Sequence, residues 1–182
     1  KRRYGIPIRT AELNDVPGLS WGLVSVLTGA GVRYFAPGIP DYFNWGYRVR
    51  PFWDQEAVLE RDMNGAFWWE GPDGDRVLFW CGGYGGGGLW TYDQTARDLP
   101  ERLKALADRG YPYDVVRFRF SGGHRDNAPP DVRLSLIARE WNERWAYPRF
   151  VVATNTMFFE RLEEGWGDEL RVLRGDLPNT DY

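Results

Sequence analysis

Several features that would define a function class are scarce in this chain of 182 residues. Its only cysteine is Cys81, which excludes an internal disulfide and a cysteine-rich zinc site and fits a reducing compartment. The formal net charge of -3 leaves no basic excess to neutralise a phosphate backbone, which argues against a nucleic acid partner. No apolar run approaches the roughly 18 residues of a membrane-spanning helix, so no membrane partner is expected.

Aromatic side chains, by contrast, are abundant. The chain has ten each of Trp, Tyr and Phe, which together make up 16% of the sequence. Aromatic faces stack on the C–H faces of sugar rings, so this composition suits a protein that binds carbohydrate. Aromatic side chains also fill hydrophobic cores, because each one buries a large apolar area. Composition alone slightly favours the core explanation.

Predicted strands and helices alternate along the chain, with a hairpin signalled by Pro72-Asp73-Gly74 between two apolar runs. The predicted strands are residues 6–13, 32–36, 67–70, 76–80, 113–120 and 150–154. The predicted helices are one with Leu19, Leu23, Val26 and Leu27 on its inner face, then residues 94–109, 131–146 and 156–164. Pro100 fits best near a first turn, so the regular part of the second helix is expected from about Leu99. This alternation predicts a single α/β domain over residues 1–182, with a parallel sheet that is a barrel or open.

Polar residues follow the ends of several predicted strands, where α/β folds build their active sites. Asp15 follows the first strand on a Pro-Gly turn, and Tyr42 lies soon after the second strand. His124, Arg125 and Asp126 follow the central strand, and Asn155 follows the next strand. We therefore expect Asp15 and Asp126 to face each other across one pocket, although either can equally be a turn or capping residue.

The chemistry of this constellation has two interpretations. Two opposed carboxylates suit glycoside cleavage, in which one attacks or stabilises the anomeric carbon and the other protonates the leaving oxygen. A carboxylate with His124 and a further Asp is equally the beginning of a divalent metal site. Spacing alone does not separate a glycosidase from a metal-dependent hydrolase, and His124 can also be a solvated loop residue.

Four segments resemble, in the expected order, the α-mannosidases of glycoside hydrolase family 38. Residues 15–20, Asp-Val-Pro-Gly-Leu-Ser, are similar to the aspartate-proline-phenylalanine-glycine-histidine-serine turn of that family. Residues 67–78 resemble the phenylalanine-tryptophan segment and strand of bacterial relatives. Residues 122–130 fall where the family has a glycine-aspartate-aspartate loop, and residues 148–162 resemble the strand and helix after it. The similarity covers most of the chain. The order of the segments supports the resemblance more strongly than any single segment does.

The resemblance implies a retaining, α-mannosidase-like enzyme on a seven-stranded parallel β/α barrel, or a large part of one, with bound Zn²⁺. It implies that Asp15 is the nucleophile and also a zinc ligand, with the metal holding hydroxyls of a mannose-like sugar. Asp126 is the candidate acid/base. The candidates to line the sugar pocket are Trp21, Tyr42, Trp45, Trp68, Trp69, His124 and Arg125, although several of the aromatic residues must belong to the core.

The sequence also departs from the family pattern. The family's early His-x-Asp zinc pair and its late zinc histidine have no counterpart here, so the remaining zinc ligands are expected outside this chain. Val16 and Leu19 stand where the family turn has proline and histidine, and the paired aspartates are reduced to Asp126. We therefore expect an excised portion of a longer enzyme, which need not be active alone.

Two other functions stay open. A metal-dependent hydrolase of the polysaccharide deacetylase type would need an Asp and two His ligands, and His124 is the only histidine of this chain. A non-catalytic carbohydrate-binding or scaffold domain would use the aromatic residues and not the acids. Release of acetate in place of sugar would identify the first, and sugar binding without turnover the second.

Overall fold

The computed structural model of the protein describes residues 4–14, 18–38, 65–80, 91–108, 110–118 and 131–177. In chain order the elements are β1 (Thr10–Asn14), α1 (Leu23–Gly29), β2 (Tyr34–Gly38), β3 (Ala66–Glu70), β4 (Arg76–Trp80), α2 (Tyr92–Asp108), α3 (Arg133–Arg144), α4 (Asn155–Trp166) and β5 (Val172–Arg174). The protein is therefore α/β, as the sequence predicts. It forms two compact units, one of Lys1–Tyr84 with Asn155–Tyr182 and one of Gly85–Thr154. A single domain over residues 1–182 stays a prediction.

The first unit is built on one open sheet with the strand order β1-β2-β4-β3-β5. The strands β1, β2 and β4 are mutually parallel, β3 is antiparallel to β4, and β5 is parallel to β3. The predicted hairpin is confirmed, because Trp68 of β3 pairs with Leu78 of β4 across a turn that contains Gly74. The sheet is thus mostly parallel but mixed, and the strands in the described ranges do not close into a barrel.

Hydrophobic side chains fill both faces of this sheet, since successive residues of a strand point to opposite sides. One face packs against α1 through the buried side chains of Leu19, Val24, Phe35, Phe67, Trp69, Val77, Phe79 and Leu177. On the other face, the ring of Tyr34 stacks on Phe159 of α4, with ring centroids 5.1 Å apart. Trp80 meets Phe158 edge to face at 4.9 Å. Helices therefore cover the sheet on both sides.

The segment before α1 differs from its prediction. Leu19 lies outside the helix and forms an antiparallel bridge with Leu177, with N···O distances of 2.8 and 2.9 Å. Val26 is 67% exposed, so its predicted place on the inner face is wrong, and Val24 is the buried residue of α1. Gly18 has a φ of 89°, a left-handed conformation that favours glycine and agrees with a turn at this point.

Two predicted strands are wrong as far as the structure describes them, because residues 113–118 and 150–154 form no strand. The side chain of Asn142 forms hydrogen bonds with the backbone of Phe150. Its amide oxygen accepts from the Phe150 N–H at 2.8 Å, and its amide nitrogen donates to the Phe150 carbonyl at 2.7 Å. The Tyr111 hydroxyl likewise donates to the Val115 carbonyl at 2.7 Å. Side chains thus take backbone partners that a neighbouring strand would supply.

The second unit contains α2 and α3, both of which were predicted. Pro100 lies inside α2, so the expected start near Leu99 is wrong, and the helix begins seven residues earlier at Tyr92. In α3 the buried ring of Trp141 stacks on Phe150 at 5.0 Å and donates to the Pro148 carbonyl at 2.7 Å. None of the helices in the described ranges is long and apolar enough to cross a lipid bilayer.

Candidate active site

The three parallel strands of the first unit define two opposite edges of the sheet. We call the edge at which β1, β2 and β4 begin the starting edge, and the edge at which they finish the ending edge. At the ending edge Asn14 of β1 is the register partner of Gly38 of β2, and β4 finishes at Trp80. Active sites of βα folds lie at the edge where parallel strands finish, so the ending edge is the candidate active site.

Most of the predicted site residues belong to segments that leave the ending edge or to the stretch before α3. Residues 15–17, 39–64 and 119–130 lie outside the described residues. The site residues in those segments are Asp15, Tyr42, Trp45, His124, Arg125 and Asp126. Their roles therefore stay predictions, and so does the pairing of Asp15 with Asp126.

Polar side chains of β1 and of the first turn of α4 lie together. The Asn155 amide donates to the Glu12 carboxylate at 3.3 Å, and the hydroxyl oxygens of Thr10 and Thr156 are 2.7 Å apart. Asn155 was expected beside the ends of the strands, and the structure places it against the exposed Glu12, two residues before the end of β1. The sequence analysis missed Glu12, although a carboxylate so near the end of a predicted strand was a usable signal.

The neighbouring tryptophans of β3 lie on opposite faces of the sheet. Trp69 is fully buried in the core against α1, where its ring meets Phe79 edge to face at 5.8 Å and its N–H donates to the Gly175 carbonyl at 3.0 Å. Its burial leaves no ring face for a sugar, so we leave Trp69 out of the proposed site. Trp68 is half-buried on the other face, and its N–H donates to the Gly167 carbonyl at 2.8 Å.

Trp21 also lies away from the ending edge. Its indole N–H donates at 2.7 Å to the carbonyl of Glu70, and Glu70 is paired with Arg76, the first residue of β4. Its backbone N–H donates to the Asp176 carboxylate at 2.7 Å. The contacts of Trp21 thus hold the segment before α1 at the starting edge. The three tryptophans of the predicted sugar pocket that lie among the described residues, Trp21, Trp68 and Trp69, do not form one pocket.

A network of charged groups fastens α4 to the starting edge. Arg33, just before β2, forms an ion pair with Glu163 of α4, and the Tyr34 hydroxyl donates to the same carboxylate at 2.7 Å. Arg9, just before β1, forms an ion pair with Glu160. Burial raises the pKa of Glu163, but the hydrogen bonds from Arg33 and Tyr34 outweigh it and hold that pKa below its usual value. Burial and the Glu163 carboxylate together raise the pKa of Tyr34 to about 12.

A second buried carboxylate at the starting edge, Glu70, is held by two arginines. Its oxygens accept from Arg174 at 2.5 Å and from Arg76 at 2.7 Å, and its side chain is only 10% exposed. These hydrogen bonds hold the pKa of Glu70 below its usual value. Two guanidinium groups thus hold this carboxylate in place, so we assign it a structural role.

An open groove of about 780 Å³ runs along the starting edge. Its walls come from the α1–β2 connection, the β3–β4 turn, the end of α4 and the α4–β5 connection. The polar and aromatic side chains that line it are those of Thr28, Arg33, Trp68, Asp75, Arg76, Glu163 and Asp168. The sequence analysis did not anticipate this groove, because its residues come from four separate segments. The available signal in the sequence was that Arg33 and Arg76 each lie at the start of a strand.

The described residues do not by themselves fit a metal. No group of three or more His, Cys, Asp or Glu side chains among them is placed to hold an ion. Asp15, the one zinc ligand expected from this chain, lies in a segment outside the described ranges. Bound Zn²⁺ stays a prediction, and no step of the mechanism below is assigned to it.

Comparison with known proteins supports the fold. No protein-family model and no curated protein sequence matches the chain. Among solved structures it is similar to an α-mannosidase from Enterococcus faecalis V583, with a TM-score of 0.65 and 14% sequence identity. The match covers 97% of this chain and 18% of that one, so the chain spans about a fifth of its length. At this identity the likeness shows a distant relation of fold, and membership of glycoside hydrolase family 38 stays a prediction.

Proposed function

We propose that this chain is the part of a retaining, α-mannosidase-like glycosidase that carries the nucleophile, Asp15. The single observation that carries the proposal is the structural likeness of nearly the whole chain to an α-mannosidase. The sequence adds that Asp15 directly follows Asn14, the residue at which β1 reaches the ending edge. Both observations support a carbohydrate-cleaving site at that edge.

The proposed chemistry has two steps. The Asp15 carboxylate attacks the anomeric carbon while Asp126 donates a proton to the leaving oxygen, and the glycosidic bond breaks to give a covalent glycosyl-aspartate. Asp126 then removes a proton from a water molecule, which attacks the anomeric carbon and releases Asp15. The sugar is expected to contact Tyr42, Trp45, His124 and Arg125.

We further propose that the open sheet is part of a seven-stranded β/α barrel. In the described residues β1 and β5 are the outer strands and have no further neighbour. In a barrel every strand has two neighbours, because closure of the sheet leaves no outer strand. The strands that complete it are expected in the rest of a longer protein.

The test is α-mannosidase turnover in the full-length protein that carries this chain, with an aryl α-mannoside as substrate. Asp15→Asn keeps the size of the side chain and removes the nucleophile, so kcat is expected to fall by about 10³-fold or more. The matched control is Asp108→Asn, an exposed aspartate at the end of α2 that pairs with Lys104. This control is expected to leave kcat unchanged.

The outcomes separate the candidate functions. Turnover retained in Asp15→Asn would overturn the assignment of the nucleophile. Release of acetate from an acetylated polysaccharide, without release of mannose, would favour a deacetylase-like hydrolase. Sugar binding that survives alanine at both Asp15 and Asp126, in a wild type without turnover, would favour a non-catalytic carbohydrate-binding domain.

A further inference from the structure

The groove at the starting edge lies across the sheet from the candidate active site. Arg33 immediately precedes β2, and Arg76 is the first residue of β4, whereas Asp15 follows the last residue of β1. A strand of five residues is roughly 15 Å long. A ligand in the groove would therefore not touch the reacting atoms at the ending edge.

The groove has a rigid aromatic wall. The ring of Trp68 is half-buried and fixed by its hydrogen bond to the Gly167 carbonyl. The Arg33 guanidinium lies over one face of that ring, 5.6 Å from its centroid, and Glu163 holds the guanidinium through its Nε at 3.0 Å. This pair of side chains offers N–H donors beside apolar ring surface, and it loses little conformational freedom on binding because it is already fixed.

The charges of the groove favour a neutral, hydroxyl-rich ligand. Arg33 is paired with Glu163, and Arg76 shares the carboxylate of Glu70 with Arg174, but each guanidinium carries more N–H donors than those pairs use. Asp75 and Asp168 make no side-chain hydrogen bond or ion pair with another described residue. These two carboxylates repel an anion and accept hydrogen bonds from hydroxyl groups.

From these features we propose that the groove is a second, non-catalytic carbohydrate-binding site, with the fixed Trp68–Arg33 pair as its wall and Asp75 and Asp168 as hydroxyl acceptors. Its volume of about 780 Å³ lies within the roughly 300–1,000 Å³ of small-molecule sites. The ligand class follows from the groove itself. The choice of a mannose-containing probe rests on the proposed function, so a second oligosaccharide is included in the test.

The test is NMR titration of the protein with mannotriose and, separately, maltotriose. The indole N–H resonance of Trp68, identified by its loss in Trp68→Phe, is expected to shift saturably with a Kd of about 1 mM. Ligand-observed saturation transfer then gives the Kd of each variant. Asp168→Asn and Trp68→Ala are each expected to raise it at least tenfold, with the fold of each variant checked by its thermal unfolding.

Two control variants distinguish binding in the groove from binding at the candidate active site. Asp108→Asn, in the second unit, and Asp15→Asn, at the ending edge, are expected to leave this Kd unchanged. Binding that persists in Asp15→Asn after turnover is lost supports the groove independently of catalysis, and maltotriose binding supports it even where no mannoside is cleaved. The proposal is overturned if neither sugar shifts the Trp68 resonance, if folded Asp168→Asn binds as wild type, or if putrescine, a diamine probe, shifts it and the sugars do not.

Discussion

The two edges of the sheet in the first unit use charged residues differently. At the starting edge four arginines are paired with carboxylates: Arg9 with Glu160, Arg33 with Glu163, and both Arg76 and Arg174 with Glu70. The segments that leave the ending edge carry Asp15 and, after β2, Tyr42 and Trp45. The ion-pair cluster thus lies at the edge opposite the proposed active site. The direction of the strands, and not the density of charged residues, distinguishes the two edges.

The largest effect on stability is expected for a tryptophan that is buried in the core. Trp69→Ala removes a fully buried ring and is expected to lower the free energy of unfolding by about 3–5 kcal/mol. Trp68→Ala, one residue away on the other face, is expected to cost less because its ring is half-exposed. Urea unfolding of both variants measures the difference. An equal loss for the two would contradict the assignment of the faces.

A smaller effect is expected at the turn that follows Asp15. Gly18 has a φ of 89°, so Gly18→Ala is expected to cost about 1–2 kcal/mol of stability. The control is Gly29→Ala, because Gly29 is helical and has open space where a Cβ would lie. Alanine is the better helix former there, so thermal unfolding should show no loss. If Gly18→Ala unfolds at the wild-type temperature, the turn does not need glycine.

The smallest effect concerns pH at the starting edge. Arg174 and Arg76 hold the pKa of Glu70 below its usual value of 4.5, so their pairing stabilises the fold above that pH. This contribution is lost as pH falls through the lower, folded-state pKa. The difference in urea midpoint between wild type and Glu70→Gln is thus expected to be largest near neutrality and to shrink toward pH 3.

A matched variant separates this local effect from general acid unfolding. Glu140→Gln removes an exposed carboxylate that pairs with Arg144 on α3, and its urea midpoint is expected to stay near wild type at each pH. A Glu70→Gln difference that grows on acidification would contradict the ion-pair account.

The sequence predicted the local elements better than their pairing. Hydrophobic periodicity and turn residues located the β3–β4 hairpin, α3 and α4 to within a few residues. The sequence could not reveal that the Asn142 amide binds the backbone of Phe150, the first residue of an apolar run at 150–154 that forms no strand. Such a bond depends on a residue eight positions away, which no local pattern reveals.

The site was predicted from the order of residues along the chain. That order shows where each strand starts and ends, but the edge of the sheet that each terminus reaches is known only once the pairing of the strands is known. The alternation of a strand was enough to place Trp68 and Trp69 on opposite faces, yet both were assigned to one pocket. Trp21 was a candidate for the same pocket. Its bond to the Glu70 carbonyl places its indole beside the start of β4 instead.

The most direct test of the account is to trap the glycosyl-enzyme. A fluorinated mannosyl fluoride, which slows hydrolysis of the intermediate, is incubated with the full-length protein, and the labelled peptide is sequenced by mass spectrometry. The account predicts one covalent mannosyl group on Asp15 and none on Asp15→Asn. A label on another carboxylate, such as Glu12, or turnover of an α-mannoside without any label would contradict it.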